Sequence, residues 1–490
     1  MSKIDQPETN NKLALEQIKS RSISGVIAFT FRTFFLQLIA LVATFLLAVF
    51  LKPEEFGIFF VVSALVNLFI FLSDIGLAAS LIQKKETPSL ADLRTTFTIQ
   101  QILSFIIVTI IFSLTPFWQT KYGLSQSGLY LLYALAISFI LASFKTIPSI
   151  LLERKLDFNK LIIPQLVENL IFYSIAVFLA WKGFGVTSYT IAVLARSFAG
   201  VIIIYLLMPW QIGFAISKKS LKGLLKFGVP FQINDFLARI KDDLLIVSLK
   251  FFLTDAQIGF VGWAQRWSLF PYRFTVDSVI RVTFPAYSRL QNDKKRLKKA
   301  IEKSLYFISI IIFPILAGIA LLALPFTNVI AQYQKWQPAL IALYLFLINV
   351  AWSSLSTPLT NAINAIGKIK ITLKLMVFWT ILTWGLTIPA VIKFGFVGVA
   401  LAAALVSFTS VITFIVIKRL VPIQIFVQIR SALIATAFMS LIVYQIVPQI
   451  STSLIKFLLT TAIGAFSYLV AILMLERKRL ISEIKTLLKK

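Results

Sequence analysis

The sequence predicts an all-α integral membrane protein: about 14 transmembrane helices, forming two parallel-related six-helix bundles around a central cavity, plus two extra C-terminal helices. Three observations lead there. Of 490 residues, 58% are hydrophobic and 14% charged, with a mean hydropathy of +0.88. Soluble domains are about 45–50% apolar and about 25% charged. Apolar runs of the roughly 20 residues needed to span a bilayer recur along the chain. Lys and Arg gather in alternate breaks between those runs.

Taken in order, the runs predict spans at 26–51, 57–82, 95–117, 129–151, 161–181, 187–208, 227–251, 258–284, 304–324, 337–363, 371–392, 397–417, 431–448 and 454–475. The seventh and eighth carry the most charge. Residues 1–20 are polar and the first apolar run is too long for a signal peptide, so it reads as a helix that is retained.

Placing the N-terminus inside puts 32 of the 48 Lys and Arg on inner segments, 7 on outer segments and 9 within spans. Positive charge on the cytoplasmic side orients helices, so both termini are expected in the cytoplasm. Most of the formal +28 charge then reports topology. Nucleic-acid binding is excluded because no soluble segment is long enough to form a reading domain. With no Cys and no His, disulfides, thiolate metal sites and the usual near-neutral base are excluded. No phosphate-cradling loop or nucleotide fingerprint is present. No cofactor, metal or catalytic residue is therefore expected.

The chain repeats. Leu51-Lys-Pro-Glu-Glu-Phe-Gly57 and Leu253-Thr-Asp-Ala-Gln-Ile-Gly259 share a Leu-x-x-x-x-apolar-Gly pattern 202 residues apart. Gly183-Phe184 and Gly395-Phe396 stand 212 residues apart at matching points in the helix order. Six spans per repeat is an even number, so the halves run parallel, related by an axis along the membrane normal. The expected divisions are a cytoplasmic segment 1–25, bundles at 26–220 and 221–425, helices 13 and 14 at 426–475, and a basic tail at 476–490. That tail has apolar residues at helical spacing, and reads either as a helix on the anionic inner leaflet or as a topology anchor.

Charges inside a bilayer are costly and need a partner or a wet cavity. Nine basic residues fall in spans: Arg32, Lys145, Arg196, Arg239, Lys241, Arg266, Arg273, Arg281 and Lys374. Six acids accompany them: Asp74, Glu168, Asp235, Asp242, Asp243 and Asp277. Arg266, Arg273, Asp277 and Arg281 share one stripe of a helix. Asp235, Arg239 and Asp242 share another, while Lys241 points elsewhere. Asn349, Ser353, Ser356, Thr360 and Asn364 form a third stripe, and Ser63, Asn67 and Asp74 a fourth. Helix-to-helix hydrogen bonds would account for any one of them; four together point to a shared aqueous cavity. Net positive charge without metal ligands points to an anionic cargo, and guanidinium suits phosphate. Lacking His, any ion-coupling group must be a carboxylate, with Asp74, Glu168, Asp242 and Asp277 the candidates.

Three stretches carry a family resemblance. Phe71-Leu-Ser-Asp74-Ile-Gly76-Leu-Ala-Ala-Ser-Leu-Ile-Gln83-Lys-Lys-Glu86 resembles the second-helix motif of the polysaccharide transporter family, the flippases of O-antigen, colanic acid and capsule synthesis. Phe284-Pro285-Ala-Tyr-Ser288-Arg289-Leu-Gln291-Asn-Asp293 is similar to the motif after its eighth helix, and Ala238-Arg239-Ile-Lys-Asp242 to its seventh-helix Arg-x-x-Asp pattern. The family usually continues that last pattern with Gly-Arg, where Val247-Ser248 stand here. The resemblance implies the fold of the multidrug/oligosaccharidyl-lipid/polysaccharide exporter superfamily and a non-enzymatic role in the bacterial inner membrane. The implied cargo is an undecaprenyl-diphosphate-linked oligosaccharide, flipped from the cytoplasmic to the periplasmic leaflet. Implied partners are H+ or Na+ and the polysaccharide polymerase machinery. Arg32, Lys145, Arg196, Arg239, Arg266, Arg273 and Arg281 are the candidate cargo-binding residues. The alternative is an ion-coupled drug exporter or a peptidoglycan-precursor flippase on the same fold. A membrane enzyme would need a sizeable outer loop, and a passive scaffold would need no polar stripes.

Overall fold

The computed structural model describes residues 35–84, 86–450 and 452–488, without the side chains of 70–72, 158, 230–231, 233–240, 480 and 482–488. All regular structure among the described residues is helical. Ten of these helices are long and apolar enough to cross a membrane. The chain is a multi-pass membrane protein that divides into two compact units, residues 1–251 and 252–490.

The first unit holds α1 (Phe35–Phe50), α2 (Pro53–Asp74), α3 (Leu77–Gln83), α4 (Leu90–Ser113), α5 (Gln126–Arg154), α6 (Phe158–Trp181), α7 (Thr187–Leu207), α8 (Lys218–Arg239) and α9 (Leu245–Leu249). Here α5, α6 and α7 pack on one another, and α3 packs on α8. The predicted second span is broken: Ile75 and Gly76 take left-handed φ values of 50° and 75°. The physical reason is close approach. A Cβ on Gly76 would meet the Gly228 backbone, and one on Gly228 would meet Gly76, so α2 ends there and α3 restarts. The seventh span also differs. A widened turn, Ile240–Leu244, separates α8 from α9 and interrupts the expected continuous helix.

The second unit holds α10 (Asp255–Arg289), α11 (Lys294–Val329), α12 (Leu340–Ala365), α13 (Ile369–Phe394), α14 (Phe396–Phe408), α15 (Val411–Leu420), α16 (Ile425–Ile446) and α17 (Leu454–Leu488). The motif at 284–293 is the turn from α10 to α11. Tyr287 is fully buried and donates to Ser304 Oγ at 2.7 Å, within a cluster containing Leu297, Ile301 and Leu359. Asp293 then caps α11 by accepting from the Arg296 backbone N–H at 3.0 Å. Helix α17 bends at Glu476, where the basic tail was expected to begin. The first turn of that tail docks on protein: Glu476 accepts from Ser431, Arg479 donates to Gln428 Oε1 at 2.6 Å, and its guanidinium lies 3.7 Å from the Tyr306 ring centre.

One local device occurs in both units. Glu55 and Gln257, at the fifth position of each Leu-x-x-x-x-apolar-Gly turn, each accept from the backbone N–H at the start of their helix, Lys52 at 2.7 Å on α2 and Thr254 at 3.1 Å on α10. The Glu55 carboxylate rests on Gly185, and a Cβ on Gly395 would lie 3.9 Å from Gln257 Nε2. Both glycines have positive φ, 55° and 58°.

Candidate functional site

In the first unit, charge gathers where α5, α6 and α7 meet. Glu168 and Phe172 lie one turn apart on α6, and Arg196 and Gly200 one turn apart on α7, so each pair shares a helix face. The two faces meet in antiparallel register. The Glu168 carboxylate fills the space that a Cβ on Gly200 would occupy, and the Arg196 guanidinium stands 4.8 Å from the Phe172 ring centre. From α5, Lys145 Nζ reaches Glu168 Oε1 at 2.7 Å. Arg196 is half-buried and within electrostatic reach of Glu168. Phe59 stacks on Tyr189 at 4.0 Å and flanks Phe172 at 6.2 Å, walling one side. The structure therefore brings together Lys145, Glu168 and Arg196, which the sequence placed on three separate spans.

The remaining acidic candidates of this unit sit elsewhere. Asp74 is at the α2–α3 break, where it accepts from the Ala78 backbone N–H at 3.1 Å and from Gln100 Nε2 at 2.5 Å. Asp242 is exposed in the widened turn and pairs with Lys241 at 3.3 Å. Its neighbour Asp243 accepts from Asn67 Nδ2 at 3.4 Å, joining the stripe of α2 to that turn. Arg32 and the side chains of Arg239 and Asp235 lie outside the described residues.

In the second unit, α10 buries Gly259, Gly262 and Trp263 near its start and Ser268 and Thr275 further along. Its charged stripe has Arg266 and Asp277 half-buried and Arg273 and Arg281 exposed. Asp277 lies one turn from each of the latter two and interacts electrostatically with both. The α12 stripe resolves differently. Thr360 donates to Ser356 O at 3.0 Å and Ser356 to Ser353 O at 3.4 Å. Asn349 donates to Ala403 O at 2.9 Å, and Asn364 accepts from Thr372 at 2.5 Å. Those groups find partners within their own unit.

One polar knot escaped sequence reading. Arg154, assigned only to topology, donates to four carbonyls at the end of α3: Leu81 at 2.7 Å, Ile82 at 3.1 Å, Lys84 at 2.6 Å and Glu86 at 2.8 Å. Lys84 in turn pairs with buried Asp92 at 2.7 Å, and Asp92 also accepts from the Ser89 backbone. Ser89-Leu-Ala-Asp92 is a readable capping box; the Arg154 clamp spans about 70 residues and has no sequence signal. Among the described residues, no cluster of three or more acidic side chains is placed to hold a metal.

Ten long apolar helices define the class: a multi-pass membrane protein with the fold of solved flippases and transporters. The structure matches Lipid II flippase MurJ, inward closed conformation, with a TM-score of 0.74 and 17% identity over 92% of this chain and 99% of that one. It also matches an inward-facing multidrug resistance MATE family transporter of the MOP superfamily, with a TM-score of 0.61 and 15% identity over 78% and 95% of the two chains. The chain belongs to the polysaccharide biosynthesis protein family, whose sequence pattern matches residues 46–341. It is 25% identical to the lipopolysaccharide biosynthesis protein WzxC of Escherichia coli, covering 82% of each chain. It is 22% identical to the succinoglycan biosynthesis transport protein ExoT of Rhizobium meliloti, over 89% of each. Similarity to the teichuronic acid biosynthesis protein TuaB of Bacillus subtilis is 21%, over 81% of this chain and 83% of that one.

Proposed function

We propose that the protein is a flippase that moves a polyprenyl-diphosphate-linked oligosaccharide from the cytoplasmic to the periplasmic leaflet of the bacterial inner membrane. The observation that carries this reading is the family match together with an excess of guanidinium and ammonium groups on spanning helices. Transport is favoured over catalysis by the relatives' names, one of which is a transport protein. The reading takes residues 26–220 and 221–425 as parallel halves; the matching helix-start hydrogen bonds to Glu55 and Gln257 support it. Both termini face the cytoplasm. Lys145, Arg196, Arg266, Arg273 and Arg281, with Arg32 and Arg239, receive the anionic cargo. Asp74, Glu168, Asp242 and Asp277 supply the carboxylates for coupling to H+ or Na+ in alternating access, and the polymerase machinery receives the product.

Lipid analysis of a deletion strain tests the proposal. A flippase deletion accumulates undecaprenyl-linked oligosaccharide on the inner leaflet. Normal surface polysaccharide with new drug sensitivity would instead make the chain a drug exporter. The likeness to MurJ favours one second reading, a peptidoglycan-precursor flippase; its deletion would accumulate that precursor.

A further inference from the structure

The cluster on α5–α7 also bears on how an anionic group is received, an inference that rests on the flippase reading. Among the described residues, Glu168 accepts one hydrogen bond, from Lys145. About a fifth of each side chain stays exposed, 22% for Lys145 and 21% for Glu168. The pair is mostly buried, so Glu168 can leave Lys145 only when another anion takes its place. Arg196 makes no hydrogen bond or ion pair among the described residues; its guanidinium rests over Phe172. Two cations therefore share a single carboxylate, and that carboxylate is drawn in against the α7 backbone because Gly200 carries no side chain.

We infer that Glu168 is a resident counter-ion occupying a phosphate or diphosphate subsite, and that the arriving anion displaces it from Lys145 and recruits Arg196. A diphosphate carries at least two negative charges, which matches the two cations better than one carboxylate does. It also has enough acceptor oxygens for the Arg196 fork, which binds such groups bidentately. The Lys145 ammonium, a compact charge on a flexible stem, follows the stronger partner. Phe172 keeps the guanidinium plane in place through cation–π contact while the exchange occurs. Gly200 sets the resting position of the counter-ion, so the site is closed to weak anions and opened by multiply charged ones.

The test titrates the purified full-length protein in detergent with inorganic diphosphate and, separately, with geranylgeranyl diphosphate. Glu168→Gln keeps the side-chain volume and removes the competing charge. It is expected to bind at least one probe about tenfold more tightly than the parent chain, a factor that corresponds to about 1.4 kcal/mol. In the same background, Lys145→Gln or Arg196→Gln is expected to abolish that gain. A gain with both probes assigns recognition to the diphosphate itself; a gain with the lipid probe alone assigns it to a lipid head group. Unchanged or weaker binding by a folded Glu168→Gln variant overturns the inference. If that variant does not fold, Lys145→Gln alone decides: it must weaken binding tenfold, and equal affinity overturns the subsite. The deletion-strain lipid profile is scored independently. Accumulated lipid-linked oligosaccharide with no gain in Glu168→Gln removes the subsite and keeps the flippase reading; the reverse pattern keeps the anion site and removes the flippase.

Discussion

The polar stripes of α10 and α12 follow the same spacing in the sequence and reach different ends in the structure. On α12, Ser356, Thr357 and Thr360 each donate to a carbonyl three or four residues back. On α10, Arg273 and Arg281 remain exposed with Asp277 between them. Hydroxyls can satisfy themselves on the preceding turn. A guanidinium with five donors cannot. The same polar spacing thus leaves hydroxyls partnered on their own helix and guanidiniums exposed.

Three variants probe the contrast. The double variant Arg273→Ala/Arg281→Ala is expected to lower surface polysaccharide at least tenfold with unchanged protein level, read by immunoblot of both. Wild-type export from that variant would remove α10 from the site. Tyr272→Phe removes the 2.9 Å bond from Tyr272 to Thr357 that ties the two helices together. A single hydrogen bond contributes about 0.5–1.5 kcal/mol, and a small drop in melting temperature with normal export is expected. Ser356→Ala/Thr360→Ala has the smallest effect, within about 0.5 kcal/mol, with export unaltered. Loss of export here, matching the arginine variant, would return the hydroxyl stripe to the site and erase the distinction.

Much of this was legible in the sequence. The helical class and the family followed from composition, spacing and motifs. Two kinds of feature were not. The break at Ile75–Gly76 depends on contact with Gly228, about 150 residues away, and an apolar run carries no mark of a distant backbone. The union of Lys145, Glu168 and Arg196 depends on which faces of α5, α6 and α7 turn inward. Spacing identified each residue as costly but could not pair them. A single clue was available: Glu168/Phe172 and Arg196/Gly200 repeat an interval of four on successive spans, as antiparallel partners do.

Arg154 separates charge as a number from charge as a shape. Counted with its neighbours it is one more cytoplasmic cation, and Arg154→Lys leaves the orientation arithmetic untouched. Yet its two terminal nitrogens reach carbonyls on both sides of the turn, Leu81, Ile82 and Lys84 from one and Glu86 from the other, a planar fork that a single ammonium nitrogen cannot reproduce. Helix insertion would read the two side chains as synonyms, and the folded loop after α3 would not. The lysine variant is expected to reach the membrane at normal levels and to be cut more readily by protease between residues 81 and 92. Equal protease resistance would reduce Arg154 to an orientation signal.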